Sequence, residues 1–179
     1  DRLLQRWRLG AVGPWLPAKG RVLDIGCHDG ALIQALGQDV DYVGIDPYCP
    51  APGSHDRRRL IRGSFPDDLE DPGPFDGIAC LATLEHVPLR LMVDFGEACL
   101  RLLGPGGRMV LTIPSPAVDP LLGLLRALRL LDGMSVEQHQ GSRVETVLSI
   151  LCGLGFRQVH HKRFQGGLNH LVVLIGINA

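Results

Sequence analysis

The stretch Val22-Leu23-Asp24-Ile25-Gly26-Cys27-His28-Asp29-Gly30 decides the fold of this chain. A mostly apolar strand runs into a turn that contains two glycines, and a helical pattern begins at Ala31. Such a turn directs free backbone N–H groups and a helix N-terminus towards whatever binds beside it. Twenty residues after Gly26, the apolar run Tyr42-Val43-Gly44-Ile45 ends in Asp46. Because an acid at the tip of the second strand can accept hydrogen bonds from a ribose, the two segments predict a nucleoside-cofactor site.

The glycine loop distinguishes between nucleoside cofactors. A dinucleotide fingerprint needs glycines at the first, third and sixth positions, and alanine is common at the sixth. The corresponding residues here are Gly26, His28 and Ala31. The middle glycine lets a pyrophosphate approach the backbone, and the His28 side chain would obstruct that approach. The loop therefore weakens the alternative of a nucleotide-binding oxidoreductase. It favours a ligand with a ribose and an adenine but no pyrophosphate, such as S-adenosylmethionine.

The same loop resembles the first motif of the class I S-adenosylmethionine-dependent methyltransferases. That motif reads hydrophobic-Leu-Asp-hydrophobic-Gly-Cys-Gly-x-Gly, and this chain departs from it only at His28. The segment Leu81-Ala82-Thr83-Leu84-Glu85-His86-Val87 resembles the family's segment ending in Glu-His-hydrophobic, as in small-molecule enzymes related to ubiquinone and sterol biosynthesis. It lacks the Asn/Asp-Pro-Pro-aromatic tetrapeptide of enzymes that methylate nucleic-acid amino groups. The resemblance covers about residues 20–178 and implies S-adenosylmethionine as cofactor and a small-molecule acceptor, with a nucleic acid substrate not expected.

The resemblance also implies which residues hold the cofactor. Asp24 would act on its ammonium group, directly or through water, and Asp46 would accept both ribose hydroxyls. Ser64 stands near the adenine where many relatives have an acid, so a plain loop serine is an equal alternative. Backbone carbonyls of Leu81 or Ala82 would meet the amino end of the cofactor. The predicted cofactor-binding set is Asp24, Gly26, Cys27, His28, Gly30, Asp46, Pro47, Ser64, Phe65, Leu81 and Ala82.

Two histidines are the candidates for a catalytic general base. Methyl transfer is an in-line displacement at a sulfonium, so the enzyme must align the nucleophile and exclude water, and a base helps when the nucleophile is a hydroxyl. His86 follows the fourth strand, and His139 precedes the capping box Ser142-x-x-Glu145. A structural role for His86 and a surface role for His139 are the alternatives. The segment after the fourth strand lacks a second acid, so no metal site is expected.

Strand and helix patterns alternate along almost the whole chain. This predicts an α/β fold with a doubly wound, seven-stranded sheet, mostly parallel with one antiparallel strand and with helices on both faces. The predicted strands are 21–25, 41–46, 60–62, 75–81, 108–113, 156–163 and 168–177, and the last two must form a hairpin because no helix separates them. Helices are predicted at 3–9, 29–37 and 88–103 and before Gly153. Residues 1–179 form one domain, with a helical extension over 1–19.

The substrate region of the resembled family corresponds to residues 115–140. Within it, Leu121, Leu124, Leu125 and Leu128 share one face of a helix predicted over 119–131. This helix is either part of the core or a lid over an apolar acceptor. The chain is therefore interpreted as a methyltransferase acting on oxygen or carbon of a small acceptor, apolar or glycosyl-bearing. The alternative is a catalytically silent subunit that binds a partner.

Composition sets outer limits on these interpretations. The 179 residues are 45% hydrophobic and 21% charged, with a net charge of −1, so no strong electrostatic footprint for nucleic acid is present. The basic cluster Arg57-Arg58-Arg59 with Arg62 is either a solvated face or a phosphate patch. Five cysteines without Cys-x-x-Cys spacing favour a reducing, cytoplasmic location. No apolar run is long enough to span a bilayer, so no membrane span is expected.

Overall fold

The computed structural model describes residues 2–115 and 144–177. Its strands are β1 Gly20–Ile25, β2 Val40–Asp46, β3 Gly53–His55, β4 Arg58–Arg62, β5 Phe75–Leu81, β6 Leu103–Pro114, β7 Phe156–Phe164 and β8 Asn169–Gly176. Its α-helices are α1 Arg2–Val12, α2 Met92–Leu102 and α3 Val144–Leu154. Short 3₁₀ helices span Gly13–Trp15, Ala31–Ala35, Leu84–His86 and Leu89–Leu91.

The eight strands of the described residues belong to one sheet in the order β3-β4-β2-β1-β5-β6-β8-β7. The strands β4, β2, β1, β5 and β6 are parallel, and β8 runs antiparallel between β6 and β7. The chain starts in the middle at β1, moves outward through β2 to β4, and returns on the other side at β5. This confirms the predicted doubly wound α/β fold. Its switch point lies between the carboxyl ends of β1 and β5, where open sheets of this kind bind ligands.

The sheet has one strand more than the sequence predicts. Gly53–His55 forms the short edge strand β3, which pairs antiparallel with β4. His55 is paired directly with Arg58, so the two strands are joined by a two-residue turn at Asp56 and Arg57. Asp56 adopts a φ of 51°, which aspartate tolerates better than most residues. The three exposed residues of β3 show no apolar alternation, which is why the sequence pattern did not reveal this strand.

Several other boundaries differ from the prediction. The helix predicted over 88–103 begins as the 3₁₀ helix Leu89–Leu91 and continues as α2 from Met92 to Leu102, because Pro88 precedes the 3₁₀ turn. The expected helix over 29–37 is a five-residue 3₁₀ helix, Ala31–Ala35, because left-handed Gly30 precedes it and Gly37 soon follows it. Strand β6 begins at Leu103, not at residue 108, and includes the segment Gly104-Pro105-Gly106-Gly107. The register between β5 and β6 shifts at this segment, so these residues interrupt the pairing without ending the strand.

Side chains from the sheet pack on both faces, as expected for central parallel strands. Along β8, Val172 and Leu174 pack with α2 and α3, whereas Leu171 and Val173 pack on the opposite face with Val12 of α1. The alternation follows the period of two that a strand imposes on its side chains. The two apolar layers hold the carboxyl ends of β1, β2 and β5 in fixed positions.

Several sequence-based predictions fall outside the described residues. These are His139, the helix over 119–131 and nearly all of the region 115–140. Within the described part of the chain, no helix combines the length and the apolar character needed to cross a bilayer. All five cysteines lie in that part and none forms a disulfide.

Candidate functional site

A cavity of about 880 Å³ opens at the carboxyl ends of β1, β2 and β5, at the switch point of the sheet. Its volume falls in the range typical of small-molecule sites. The loops that follow β1, β2, β4 and β5 contribute to its wall, and α2 closes one side. Of the sequence-predicted residues, those that line it are Gly26, His28, Asp46, Pro47, Ser64, Phe65, Ala82 and His86.

Asp46 ends β2 with its carboxylate held in place by the backbone. The carboxylate accepts hydrogen bonds from the backbone N–H of His28 at 3.0 Å and of Tyr48 at 2.6 Å, one on each oxygen. Only 8% of the residue is exposed, yet it lines the cavity. Because each carboxylate oxygen accepts more than one hydrogen bond, both retain capacity for a diol that enters the cavity.

The loop after β1 is locked to the loop after β5. Gly26 has a φ of 79°, and its backbone N–H donates to the carbonyl of Ile45 at 2.9 Å. The Thr83 side chain occupies the space that a β-carbon at position 26 would need. The Thr83 hydroxyl in turn donates to the carbonyl of Ile25 at 3.1 Å. A glycine at position 26 therefore serves two needs, the left-handed backbone and the close approach of Thr83.

Asp24 lies behind the cavity and does not form part of its wall. It is 4% exposed and accepts a 2.7 Å hydrogen bond from the hydroxyl of Tyr42 on the neighbouring strand. Burial raises the pKa of Asp24 to about 7, the Tyr42 hydrogen bond opposes this shift, and the charge of Asp46 adds to it. Burial is also the largest cause that raises the pKa of the Tyr42 hydroxyl. The Asp24 side chain is thus bonded to β2, and it does not face the cavity.

Three other predicted residues also stand outside the cavity wall. Cys27 is buried, and burial is the first cause that raises the pKa of its thiol above the ordinary value. Gly30 precedes the 3₁₀ helix Ala31–Ala35 with a φ of 73°. Leu81 ends β5 and packs against the apolar layer on the α1 face. These residues shape the loops around the cavity.

His86 stands at the cavity edge after β5. Ala82 leaves that strand with a φ of 54°, and its backbone N–H donates to the carbonyl of Thr112 at 2.9 Å. The 3₁₀ helix Leu84–His86 follows at once, with the His86 backbone N–H bonded to the carbonyl of Thr83 at 3.0 Å. This tight turn brings the exposed His86 side chain to the wall. His86 is therefore close enough to the cavity to meet a bound molecule there.

The described wall of the cavity is acidic. Asp46, Asp67, Glu85 and Asp94 line it, whereas no lysine or arginine does so within residues 2–115 and 144–177. Burial lowers the pKa of Arg8 on α1, and its attraction to Glu85 opposes that shift, so part of the charge of Glu85 is balanced by Arg8. Such a wall favours ligands that carry positive charge over phosphates.

Sequence reasoning missed several wall residues. The main ones are Tyr48, Asp67, Thr83, Glu85, Asp94 and Phe95. Tyr48 follows directly after the predicted site residues Asp46 and Pro47, so its position beside the site could have been predicted from the sequence. Asp94 and Phe95 had none, since the apolar pattern of a helix does not say which of its ends faces a cavity. Phe65, which was predicted, makes an edge contact with Phe95 at 5.2 Å between ring centroids.

Comparison with known sequences places the chain in a family. A family model described as "Methyltransferase domain" matches residues 1–160. The chain is 34% identical over 113 residues to a Ubiquinone biosynthesis O-methyltransferase of Xylella fastidiosa (strain 9a5c), covering 57% of this chain and 45% of that protein. A protein of the same name from Pseudomonas aeruginosa (strain UCBPP-PA14) is 37% identical over 103 residues, covering 51% and 43%. The chain thus matches less than half the length of these curated relatives.

Solved structures show the same fold. The N-methyltransferase NodS from Bradyrhizobium japonicum WM9 superimposes with a TM-score of 0.73 at 18% identity, covering 98% of both chains. The magnesium protoporphyrin IX methyltransferase ChlM from Synechocystis PCC 6803, solved with bound SAH, gives a TM-score of 0.69 at 18% identity, covering 98% of this chain and 84% of that one. The family match extends over most of the chain and includes every loop that forms the cavity, and the chain therefore belongs to the methyltransferase-domain family.

Proposed function

We propose that this chain is an S-adenosylmethionine-dependent methyltransferase that transfers a methyl group to oxygen or carbon of a small acceptor. The observation that carries the proposal is the carboxylate of Asp46, fixed by two backbone N–H groups at the cavity wall. A carboxylate held in this way meets a vicinal diol without having to reorganise, because its orientation is set before the ligand arrives. The family match supports the type of reaction.

The residues of the cavity fit this cofactor. Its sulfonium and its ammonium group are both positive, and Asp46, Asp67 and Asp94 supply negative charge around the wall. The Phe65 side chain and Pro47 offer apolar surface to a flat base. His28 stands where the loop of a dinucleotide-binding protein would leave room for a pyrophosphate. A cofactor without phosphates therefore suits this wall better than NAD or FAD does.

When bound, the cofactor supplies a methyl group on a positively charged sulfur. The chain then has to hold the ribose, align the acceptor and exclude water. Asp46 holds the ribose, and the Thr83 contact with Gly26 keeps the glycine loop in place. His86 accepts the proton of an acceptor hydroxyl as its oxygen attacks. Val87 and Leu91 keep the acceptor side of the cavity apolar.

An acceptor with an apolar portion fits the described wall best. Val87, Pro88 and Leu91 line the cavity next to His86, so an apolar body would place its hydroxyl beside the proposed base. The curated relatives are named for ubiquinone biosynthesis, which supports an acceptor of this class and transfer to oxygen. The region 115–140, with His139 and the leucine stripe, remains the predicted source of further acceptor contacts.

Calorimetry followed by an acceptor screen tests this proposal. Titration with S-adenosylhomocysteine should give a single site per chain. A screen of phenolic, prenylated and glycosylated acceptors with labelled methyl donor should then give transfer to a phenolic or prenylated compound. Tight binding of NAD with no binding of S-adenosylhomocysteine would contradict the proposal.

A further inference from the structure

His28 adopts a backbone conformation that glycine adopts more easily. Its φ is 46°, in the left-handed region where the β-carbon of an L-residue is crowded. Its side chain is 68% exposed, so packing gives little in return for the strain. Ala82, with a φ of 54°, is the other non-glycine residue of the described wall with a positive φ. Residues in such conformations recur at ligand sites, where the strained position has a use.

The place of His28 relative to Asp46 suggests what that use is. The backbone N–H of His28 donates to the Oδ2 atom of Asp46 at 3.0 Å. His28, which carries this N–H, also lines the cavity. It therefore lies next to the groups that Asp46 would bind.

Among the described residues, no charged side chain holds the imidazole ring of His28 in a short contact, so the ring is available to a ligand. The nearest acid is Asp29, whose Oδ1 atom lies 3.9 Å from Nδ1 of His28, and this distance is too long for a hydrogen bond. Both side chains are largely exposed, so this contact holds the ring only weakly. The imidazole can turn towards the cavity without breaking a short contact.

A ribose bound at Asp46 has hydrogen-bonding capacity that a carboxylate cannot satisfy. Each hydroxyl that donates to Asp46 keeps acceptor lone pairs, and a carboxylate only accepts. A ring N–H of histidine is a donor of the missing kind. We propose that His28 is a positioning residue of the cofactor site, whose ring N–H donates to a ribose hydroxyl that in turn donates to Asp46. This inference rests on the proposed function, and it concerns the one residue at which the loop departs from the family motif.

Calorimetry with S-adenosylhomocysteine on four proteins tests this role. His28→Gly should raise the dissociation constant about fivefold to tenfold, which is the effect expected for one lost hydrogen bond. The melting temperature of the same variant should stay equal or rise, because glycine relieves the left-handed strain. His28→Asn keeps an N–H donor in a residue that tolerates this φ, so it should bind within about threefold of the wild type. The control His55→Asn changes an exposed histidine on β3, away from the cavity, and should have no effect.

Deoxy analogues of S-adenosylhomocysteine distinguish a direct contact of His28 with a ribose hydroxyl from a general effect of the substitution on the glycine loop. With 2′-deoxy- or 3′-deoxy-S-adenosylhomocysteine, the wild type and His28→Gly should bind equally for the analogue that lacks the contacted hydroxyl. The inference would be overturned if His28→Gly bound S-adenosylhomocysteine as tightly as the wild type does. It would also be overturned if His28→Gly lost the same affinity, relative to the wild type, for both deoxy analogues. A wild type that does not bind S-adenosylhomocysteine would overturn the proposed function itself, which is a different result.

Discussion

The hydroxyl of Tyr42 on β2 donates a 2.7 Å hydrogen bond to the buried carboxylate of Asp24 on β1. The space for this contact depends on Gly44, because a β-carbon there would lie 2.8 Å from the Tyr42 hydroxyl. The contact joins the two strands just below the loops that carry Gly26 and Asp46. It places a titratable group inside the protein, behind the candidate site.

The stability of the chain should depend on pH through Asp24. Its pKa is about 7 in the folded chain against an ordinary 3.8, so between these values the folded state binds more protons and stability falls as pH rises. Asp24→Asn keeps an oxygen for Tyr42 and removes this dependence. In urea titrations, the stability gain of this variant over the wild type should grow by about 2–3 kcal/mol from pH 5 to pH 8.

A matched control is Asp39→Asn, which changes an exposed carboxylate. Its stability difference from the wild type should stay constant over the same pH range. If the curves of Asp24→Asn and the wild type run parallel, the buried carboxylate is not the group that titrates.

The contact of Thr83 with Gly26 should make position 26 intolerant of any side chain. Gly26→Ala combines an unfavourable φ with a collision, and we expect it to cost about 2–4 kcal/mol of unfolding free energy. Gly106→Ala is the matched control, since Gly106 has a similar φ of 73° but open space around its β-carbon position. It should cost only about 1 kcal/mol. Equal losses in the two variants would show that Thr83 does not restrict the loop.

His86 should matter for turnover and not for cofactor affinity. His86→Ala is expected to lower kcat on the identified acceptor by about 10²–10⁴-fold, the usual contribution of a general base. The dissociation constant for S-adenosylhomocysteine should change by less than about twofold, because the ring is placed to meet the acceptor. His55→Ala controls for loss of an exposed histidine elsewhere. Full turnover by His86→Ala would mean that alignment alone suffices or that His139 is the base.

The acidic wall should favour a positively charged ligand over a neutral one. Sinefungin carries an amine near the place of the sulfonium, whereas S-adenosylhomocysteine has a neutral sulfur there. Sinefungin should bind about threefold to tenfold more tightly at low salt, and the difference should shrink at high salt. Asp94→Asn should reduce the difference, while Glu97→Gln, on the same helix but outside the wall, should preserve it. A ratio that is independent of salt and of Asp94 would contradict this prediction.

The sequence predicted the parts of the site that depend on local pattern. The strand before Gly26 and the strand before Asp46 lie where the apolar runs place them, and their parallel pairing brings His28 and Asp46 together. The position of the Asp24 side chain outside the cavity wall was not predictable, since it depends on a hydrogen bond from Tyr42, which lies diagonally across on β2 and pairs with Val22. Such contacts follow from strand register, which the pattern of one strand does not contain.

The wall contributed by α2 was beyond prediction for a related reason. Asp94 and Phe95 reach the cavity because the chain turns through Leu89–Leu91 before the helix begins. Met92 and Phe95 of this helix are buried in the core. The path of the preceding loop determines which end of that helix reaches the carboxyl edge of the sheet. The geometry of a loop leaves no periodic pattern in the sequence.

The most direct test of the central claim is calorimetric titration of S-adenosylhomocysteine into the wild type and into Asp46→Ala. The wild type should bind one ligand per chain, and Asp46→Ala should lose about 1.5–3 kcal/mol of binding free energy through its charged hydrogen bonds to the ribose. Asp67→Ala, which removes an exposed carboxylate of the same wall, should lose far less. Equal affinities of the wild type and Asp46→Ala, or no binding by the folded wild type, would contradict the account.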